Sequence, residues 1–154
     1  MKSKTNLIIA ILIPLAVGAV SAYISKGGME AYKMVEQPPL SPPDIVFPIV
    51  WTILYTLMGI SSYMIYTSDS GEKDNALKWY GIQLTLNFFW SIIFFRFMLF
   101  LPAFIWLVLL IIAIGIMIYK FYGIKPLAAY LNVPYILWCI FAAYLNLGVY
   151  ILNR

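Results

Sequence analysis

The sequence predicts an all-α integral membrane protein with five transmembrane helices in a single bundle, and three observations lead there. The 154 residues are 64% apolar and only 10% charged, against roughly 25% charged in soluble domains. The charged residues leave five uncharged runs, 5–25, 45–68, 79–95, 97–119 and 126–153, of 21, 24, 17, 23 and 28 residues. About 20 residues of helix cross a hydrocarbon core of roughly 30 Å, so each run suits one span. The runs predict helices near 6–25, 45–67, 76–95, 102–120 and 126–152 in one domain, 1–154, with a proline-rich first loop at 26–44.

The first helix follows Lys2 and Lys4. Two lysines before an apolar stretch ending in Val20-Ser21-Ala22 also fit a cleavable secretory signal. The run is long for a signal core and contains Pro14, which a membrane helix tolerates when neighbours satisfy the freed carbonyl; an intact span is the preferred reading. Gly27-Gly28 is expected to end this helix. Beyond it, Pro38, Pro39, Pro42, Pro43 and Pro48 fix φ and remove donors, which predicts a stiff extended arm closing one end of the bundle as a lid. Pro42-Pro43-Asp44 suits the start of the second helix, with a carboxylate at the positive end of its dipole. The third span borrows Ala76 and Leu77 while Lys78 snorkels. Short turns at 69–75, 96–102 and 120–125 join the remaining helices. Lys2, Lys4, Lys73, Lys78, Lys120 and Lys125 fall on the N-terminal side, against Lys26, Lys33, Arg96 and Arg154 opposite, which favours a cytoplasmic N-terminus.

Composition excludes several chemistries. The chain has no histidine, which removes the commonest general base, the usual catalytic triad and the usual zinc and haem ligation; no metal site is expected. Cys139 is alone, so no intrachain disulfide forms. The net charge of +4 is scattered singly, unlike the basic clusters that grip phosphate backbones, so nucleic acid is not an expected partner. No ionisable Asp, Glu, Lys or Arg lies within a run, which argues against a proton-coupled exporter.

What remains inside the spans is aromatic, amide and hydroxyl. Trp79 and Trp106 lie near helix ends, where an interfacial belt explains them. Trp51, Trp90 and Trp138 lie deeper, and an indole there needs a partner for its N–H or a cavity. Helical spacing places Phe47, Trp51, Tyr55 and Met58 on one stripe of the second helix. It groups Gln83, Asn87, Trp90, Ser91 and Phe94 on the third, and Tyr135, Trp138, Ala142, Asn146 and Val149 on the fifth. Gln83, Asn87 and Asn146 are costly in hydrocarbon and face inward, to bond another helix or to meet a ligand. Ala142-Ala143 either brings backbones close or leaves a void. Three stripes of large rings, polar groups and gaps favour a pocket over helix packing alone.

These residues resemble the translocator protein family, the tryptophan-rich sensory proteins that include the peripheral benzodiazepine receptor. The ordered blocks are Tyr32; Pro38-x-x-x-Pro42-Pro43; Phe47-x-x-Val50-Trp51-Thr52-x-Leu54-Tyr55-x-x-Met58-Gly59; Leu86-Asn87-x-x-Trp90-Ser91-x-x-Phe94-Phe95; and Pro134-Tyr135-x-x-Trp138-x-x-Phe141-Ala142-x-x-Leu145-Asn146. The family commonly has tryptophan where this chain has Ala31 and Leu40, and its cholesterol-recognition tyrosine and arginine fall at Leu147 and Ile151. A shifted match, Leu147 with Tyr150 and Arg154, follows only the loose sterol pattern.

The resemblance implies a pocket for porphyrins and for isoquinoline or benzodiazepine-type ligands. It would be lined by Tyr32, Pro42, Phe47, Trp51, Tyr55, Asn87, Trp90, Ser91, Tyr135, Trp138, Ala142 and Asn146, with donors from Asn87 and Trp51. No cofactor is required; porphyrin is ligand or substrate. The lack of histidine favours a metal-free tetrapyrrole, with Cys139, Met or Tyr the remaining axial ligands. Three functional classes follow: a tetrapyrrole sensor or carrier; a catalyst of light- and oxygen-dependent porphyrin breakdown, with Trp51 and Trp138 as the oxidisable groups; and a lipid or sterol translocator. The resemblance also implies a bacterial cell membrane, contact with membrane lipid, and a homodimer with one ligand site per chain. Gly18-x-x-x-Ala22 and the pair Ala113 and Gly115 supply small residues for helix association, within the bundle or between copies.

Overall fold

The computed structural model describes residues 2–154. Regular structure among them is entirely helical: α1 (Lys2–Lys33), α2 (Val46–Tyr66), α3 (Lys73–Ser91) ending in a π-helical turn (Ile92–Arg96), α4 (Phe100–Ile124), α5 (Pro126–Tyr130) and α6 (Val133–Asn153). Within the bundle α1 packs on α2 and on the π turn, α3 on α4, and α4 on α6. Met58, Ile65, Leu107, Leu110, Ile114, Met117 and Phe121 fill the interior, while Ile8, Leu12, Ile53, Ile105, Ile112 and Leu137 are exposed. An outside as apolar as the inside is what a hydrocarbon solvent requires. Four segments, Lys4–Lys33, Val46–Tyr66, Phe100–Ile124 and Pro126–Asn153, are long and apolar enough to cross a membrane. The third expected span is not among them, because α3 opens with Lys73, Asp74 and Lys78 and carries Gln83 and Asn87.

The first helix differs most from expectation. It does not stop at Gly27-Gly28 but runs to Lys33, so Tyr32 is helical and the irregular lid shrinks from 26–44 to 34–45. Gly28 is there for contact, since a Cβ would collide with the Phe95 carbonyl oxygen in the π turn. The π turn itself closes with Phe97 N–H donating to the Ile92 carbonyl at 3.1 Å, and its widened backbone meets the bare face of α1.

The lid is fastened to α6. Asn153 Nδ2 donates to the Glu36 carbonyl at 2.7 Å, and Glu36 N–H donates to Asn153 Oδ1 at 3.0 Å. Tyr144 Oη donates to the Pro39 carbonyl at 2.7 Å. The Pro38 ring sits on Gly148, where a Cβ would come within 2.6 Å of it. At the tip, Leu40 adopts φ 71° and is exposed, a left-handed conformation that costs a branched side chain energy.

The last run, expected as one helix, breaks at Leu131-Asn132 into α5 and α6. Pro134 has no N–H to offer the Tyr130 carbonyl. Buried Asn132 secures the corner, its Nδ2 donating to Ser61 Oγ on α2 at 2.7 Å and to the Ala128 carbonyl at 3.1 Å. Trp106, expected in an interfacial belt, instead donates from Nε1 to the Leu86 carbonyl at 2.7 Å and joins α4 to α3. Of the small residues suited to association, Gly18 lies against the Tyr55 ring and Ala113 is buried, so both serve this chain's own packing.

An exposed helical Gly→Ala change normally stabilises by roughly 0.5–1 kcal/mol. Gly28→Ala should do the reverse, costing about 1–3 kcal/mol through overpacking against backbone that has little room to yield; thermal unfolding in detergent micelles reads the sign.

Candidate functional site

Between α1, α2, α3 and α6, in the half of the bundle beneath the lid, lies a cavity of about 620 Å³. Eight residues singled out from the sequence line it: Phe47, Trp51, Tyr55, Asn87, Trp90, Ser91, Trp138 and Ala142. Their helices deliver them at the spacing of three and four residues that puts side chains on one face. Trp51 stacks on Tyr55 with ring centroids 5.4 Å apart and lies 6.5 Å from Trp90 and 6.2 Å from Tyr135. Trp138 packs edge-on to Phe47 at 5.9 Å and beside Phe141 at 5.6 Å. Its Nε1 is buried without a hydrogen-bond partner among the described residues. Of the two readings of Ala142-Ala143, the structure has the void, with Ala142 on the cavity wall.

Four expected residues stand off the wall. Tyr135 lies behind Trp51, 1% exposed, in a polar chain described below. Asn146 accepts from Trp90 Nε1 at 3.1 Å and donates to the Phe100 carbonyl at 2.8 Å, fixing the indole from behind. Tyr32 backs Phe95, ring edge to face at 5.1 Å. Pro42 belongs to the lid, and no residue of 34–45 lines the cavity. Cys139 is fully buried and also off the wall, which removes it as an axial ligand for anything bound there.

Behind the aromatic wall runs a directed chain of hydrogen bonds. Tyr55 Oη donates to Asn87 Oδ1 at 2.6 Å, Asn87 Nδ2 to Tyr135 Oη at 2.8 Å, Tyr135 Oη to Gln83 Oε1 at 2.6 Å, and Gln83 Nε2 to Met58 Sδ at 3.8 Å. Both phenol protons are spent. Asn87 keeps one amide hydrogen for the cavity it lines.

The contribution of α1 is what the sequence reading missed: Leu15, Gly18, Ala19, Ser21, Ala22, Ser25 and Met29 all line the cavity. The available signal was Ser21 and Ser25, two hydroxyls four residues apart in an apolar run. Ser21 Oγ donates to the Phe88 carbonyl at 2.8 Å, so the 2.5 Å contact between Ser21 and Ser91 takes its proton from Ser91. The 3.2 Å contact of Ser25 with Ser91 then takes its proton from Ser25. Proton counting thus leaves Ser25 as an acceptor toward the cavity. Ala19 and Ala22 of α1, and Pro48 and Thr52 of α2, are exposed as well as lining, so the cavity reaches the outside between these helices.

An all-helical bundle with an apolar exterior around an aromatic internal cavity defines the class as an integral membrane protein. A family model for the TspO/MBR family matches residues 10–152, and the chain belongs to that family. It is 36% identical to the tryptophan-rich protein TspO of Chlorobaculum tepidum over 157 residues, 99% of this chain and 98% of the relative. The tryptophan-rich protein TspO of Archaeoglobus fulgidus is 33% identical over 149 residues, 96% of this chain and 97% of its own. The translocator protein of Homo sapiens is 32% identical over 133 residues, 84% and 79%.

Asn87→Ala should leave Tyr55 Oη without its acceptor and Tyr135 Oη without its donor in a buried, water-poor site. Leaving such groups unpaired costs about 1–3 kcal/mol each before relaxation, so the apparent melting temperature in micelles should fall by several degrees; an unchanged value would show that the chain re-pairs.

Proposed function

We propose that this protein is a membrane receptor or carrier that binds protoporphyrin-like tetrapyrroles, and hydrophobic isoquinoline or benzodiazepine-type ligands, one per chain, in tetrapyrrole sensing or regulation. The supporting observation is the cavity itself. At about 620 Å³ it falls within the roughly 300–1,000 Å³ of small-molecule sites, and indole and phenyl faces from α2, α3 and α6 surround few polar atoms. Flat aromatic walls favour planar ligands by offset stacking. Asn87 offers a donor that suits the carboxyl group of a tetrapyrrole or the carbonyl of a drug-like amide, and Ser25 an acceptor that suits a ligand N–H. With no histidine in the chain, stacking rather than axial ligation holds the macrocycle.

We read α3 with its π turn, Lys73–Arg96, as a fifth span. At 1.5 Å per residue it is long enough, and Gln83 and Asn87, which lower its hydropathy, are buried at 0% and 4% exposure. The N-terminus faces the cytoplasm of a bacterial cell membrane in this reading. Exposed apolar faces of the helices meet lipid and a second copy of the chain, each copy keeping its own cavity.

Added protoporphyrin should change its absorption spectrum in the dark at one site per chain. Ala142→Phe should weaken that binding at least about tenfold, about 1.4 kcal/mol; undiminished affinity would move the site elsewhere.

A second reading is light- and oxygen-dependent porphyrin breakdown, favoured by the placement of Trp51 and Trp138 on the cavity wall. Loss of the porphyrin bands only under illumination would separate it from binding alone. Trp51→Phe or Trp138→Phe should then slow the loss more than it weakens binding, because stacking survives while the oxidisable indole is gone; equal losses in rate and affinity would assign the indoles to binding only.

A further inference from the structure

Helices α1 and α2 meet backbone to backbone at Gly59, where a Cβ would collide with Ile11 Cα and lie 2.6 Å from the Ala10 carbonyl oxygen. Two straight helices that cross this tightly diverge on both sides of the contact. One side opens into the ligand cavity. On the other, toward the N-terminus of α1, lies a separate groove of about 280 Å³ between α1, the end of α2 and the start of α3.

The groove has an apolar wall, from Ile9 and Ile13, and a polar set made by Asn6, Ser62 and Tyr80. Tyr80 Oη is buried and has no hydrogen-bond partner among the described residues. Ser62 stands near it, but the two hydroxyls do not meet in hydrogen-bond geometry, and the Ser62 proton goes to the Gly59 carbonyl at 2.9 Å. An unpaired phenol inside a membrane protein carries the desolvation cost of a lost hydrogen bond, and no water is at hand to relieve it. Asn6 is exposed only two residues inside Lys4, at the depth where a span meets the headgroup layer. Lys73 lies over the Tyr66 ring on the groove wall, 5.8 Å from its centroid, so a positive charge stands at the outer end. Inward from the bundle end, the order is cation, hydrogen-bonding side chains, then aliphatic surface.

That order matches the sequence of phosphate, acyl ester and hydrocarbon in a glycerophospholipid. We propose that the groove is a specific site for one such lipid, whose ester carbonyl accepts from Tyr80 Oη and whose acyl chain lies along Ile9 and Ile13. The occupant is set by the surrounding medium, since the groove faces the bilayer. The site is distinct from the porphyrin cavity and does not depend on the reading of that cavity.

The experiment compares delipidated full-length protein in detergent with added diester phosphatidylglycerol and with its dialkyl-ether analogue of equal chain length. The diester should raise the melting temperature by several degrees and the ether analogue by less than half as much, because the carbonyl is missing. In Tyr80→Phe the two lipids should become equivalent, and native mass spectrometry should show the single retained lipid of the wild type lost from Tyr80→Phe and from the groove-filling Ile13→Trp. Equal responses of the wild type to both lipids would overturn the proposal. So would a Tyr80→Phe protein that is more stable than wild type and still retains lipid, the result expected if the hydroxyl is only a buried unpaired group.

Discussion

In a bundle surrounded by hydrocarbon, the Asn87 amide accepts from Tyr55 on α2 and donates to Tyr135 on α6, so one side chain on α3 sets the rotation and height of two neighbouring helices. Without water as a fallback, the alternative to this arrangement is three unpaired buried groups rather than three solvated ones. The aromatic wall follows from it. Trp51 stacks on the Tyr55 ring whose hydroxyl Asn87 holds, and stands edge-on to the Tyr135 ring on the other side of the amide. Asn146 does the same for Trp90 from α6. Polar side chains behind the wall position the apolar ones that form it.

Close backbone contacts supply the second constraint. Gly28 admits the Phe95 carbonyl and Gly148 admits the Pro38 ring, so the top of α1 is pinned to α3 and the lid to α6. The lower part of α1 is held as well, by Gly59 of α2 against Ala10 and Ile11. Small residues between these contacts, Gly18, Ala19 and Ala22, leave space rather than filling it. A cavity in a close-packed protein costs stability through lost dispersion and transfer energy, and this one persists because the rigid contacts lie above and below it.

Much of the site was legible because helical periodicity names a face. Trp51 with Tyr55, Asn87 with Trp90 and Ser91, and Trp138 with Ala142 were each found at the right spacing, and all seven line one cavity. Periodicity does not name depth, which is why Tyr135 and Asn146 fell on the same stripes yet stand behind the wall. Gly27-Gly28 read as a helix end because propensity is local, whereas the reason for Gly28 lies in a carbonyl on another helix. The α1 wall was illegible for a related reason: small residues advertise closeness, and nothing in their pattern says whether a helix or a void will fill it. Charge spacing alone suggested a span over α3, and hydropathy does not show one, because this helix carries Lys78, Gln83 and Asn87.

The strap between Asn153 and Glu36 joins residues 117 positions apart, and such distant pairings form after local ones. During synthesis, which proceeds from the N-terminus, α1, α2 and α3 can assemble their part of the aromatic wall while α6 is still unmade. Until α6 arrives, Trp138 and Ala142 are missing from that wall and the lid has no anchor. At that stage the space is a trough, and the docking of α6 is the step that turns it into a cavity.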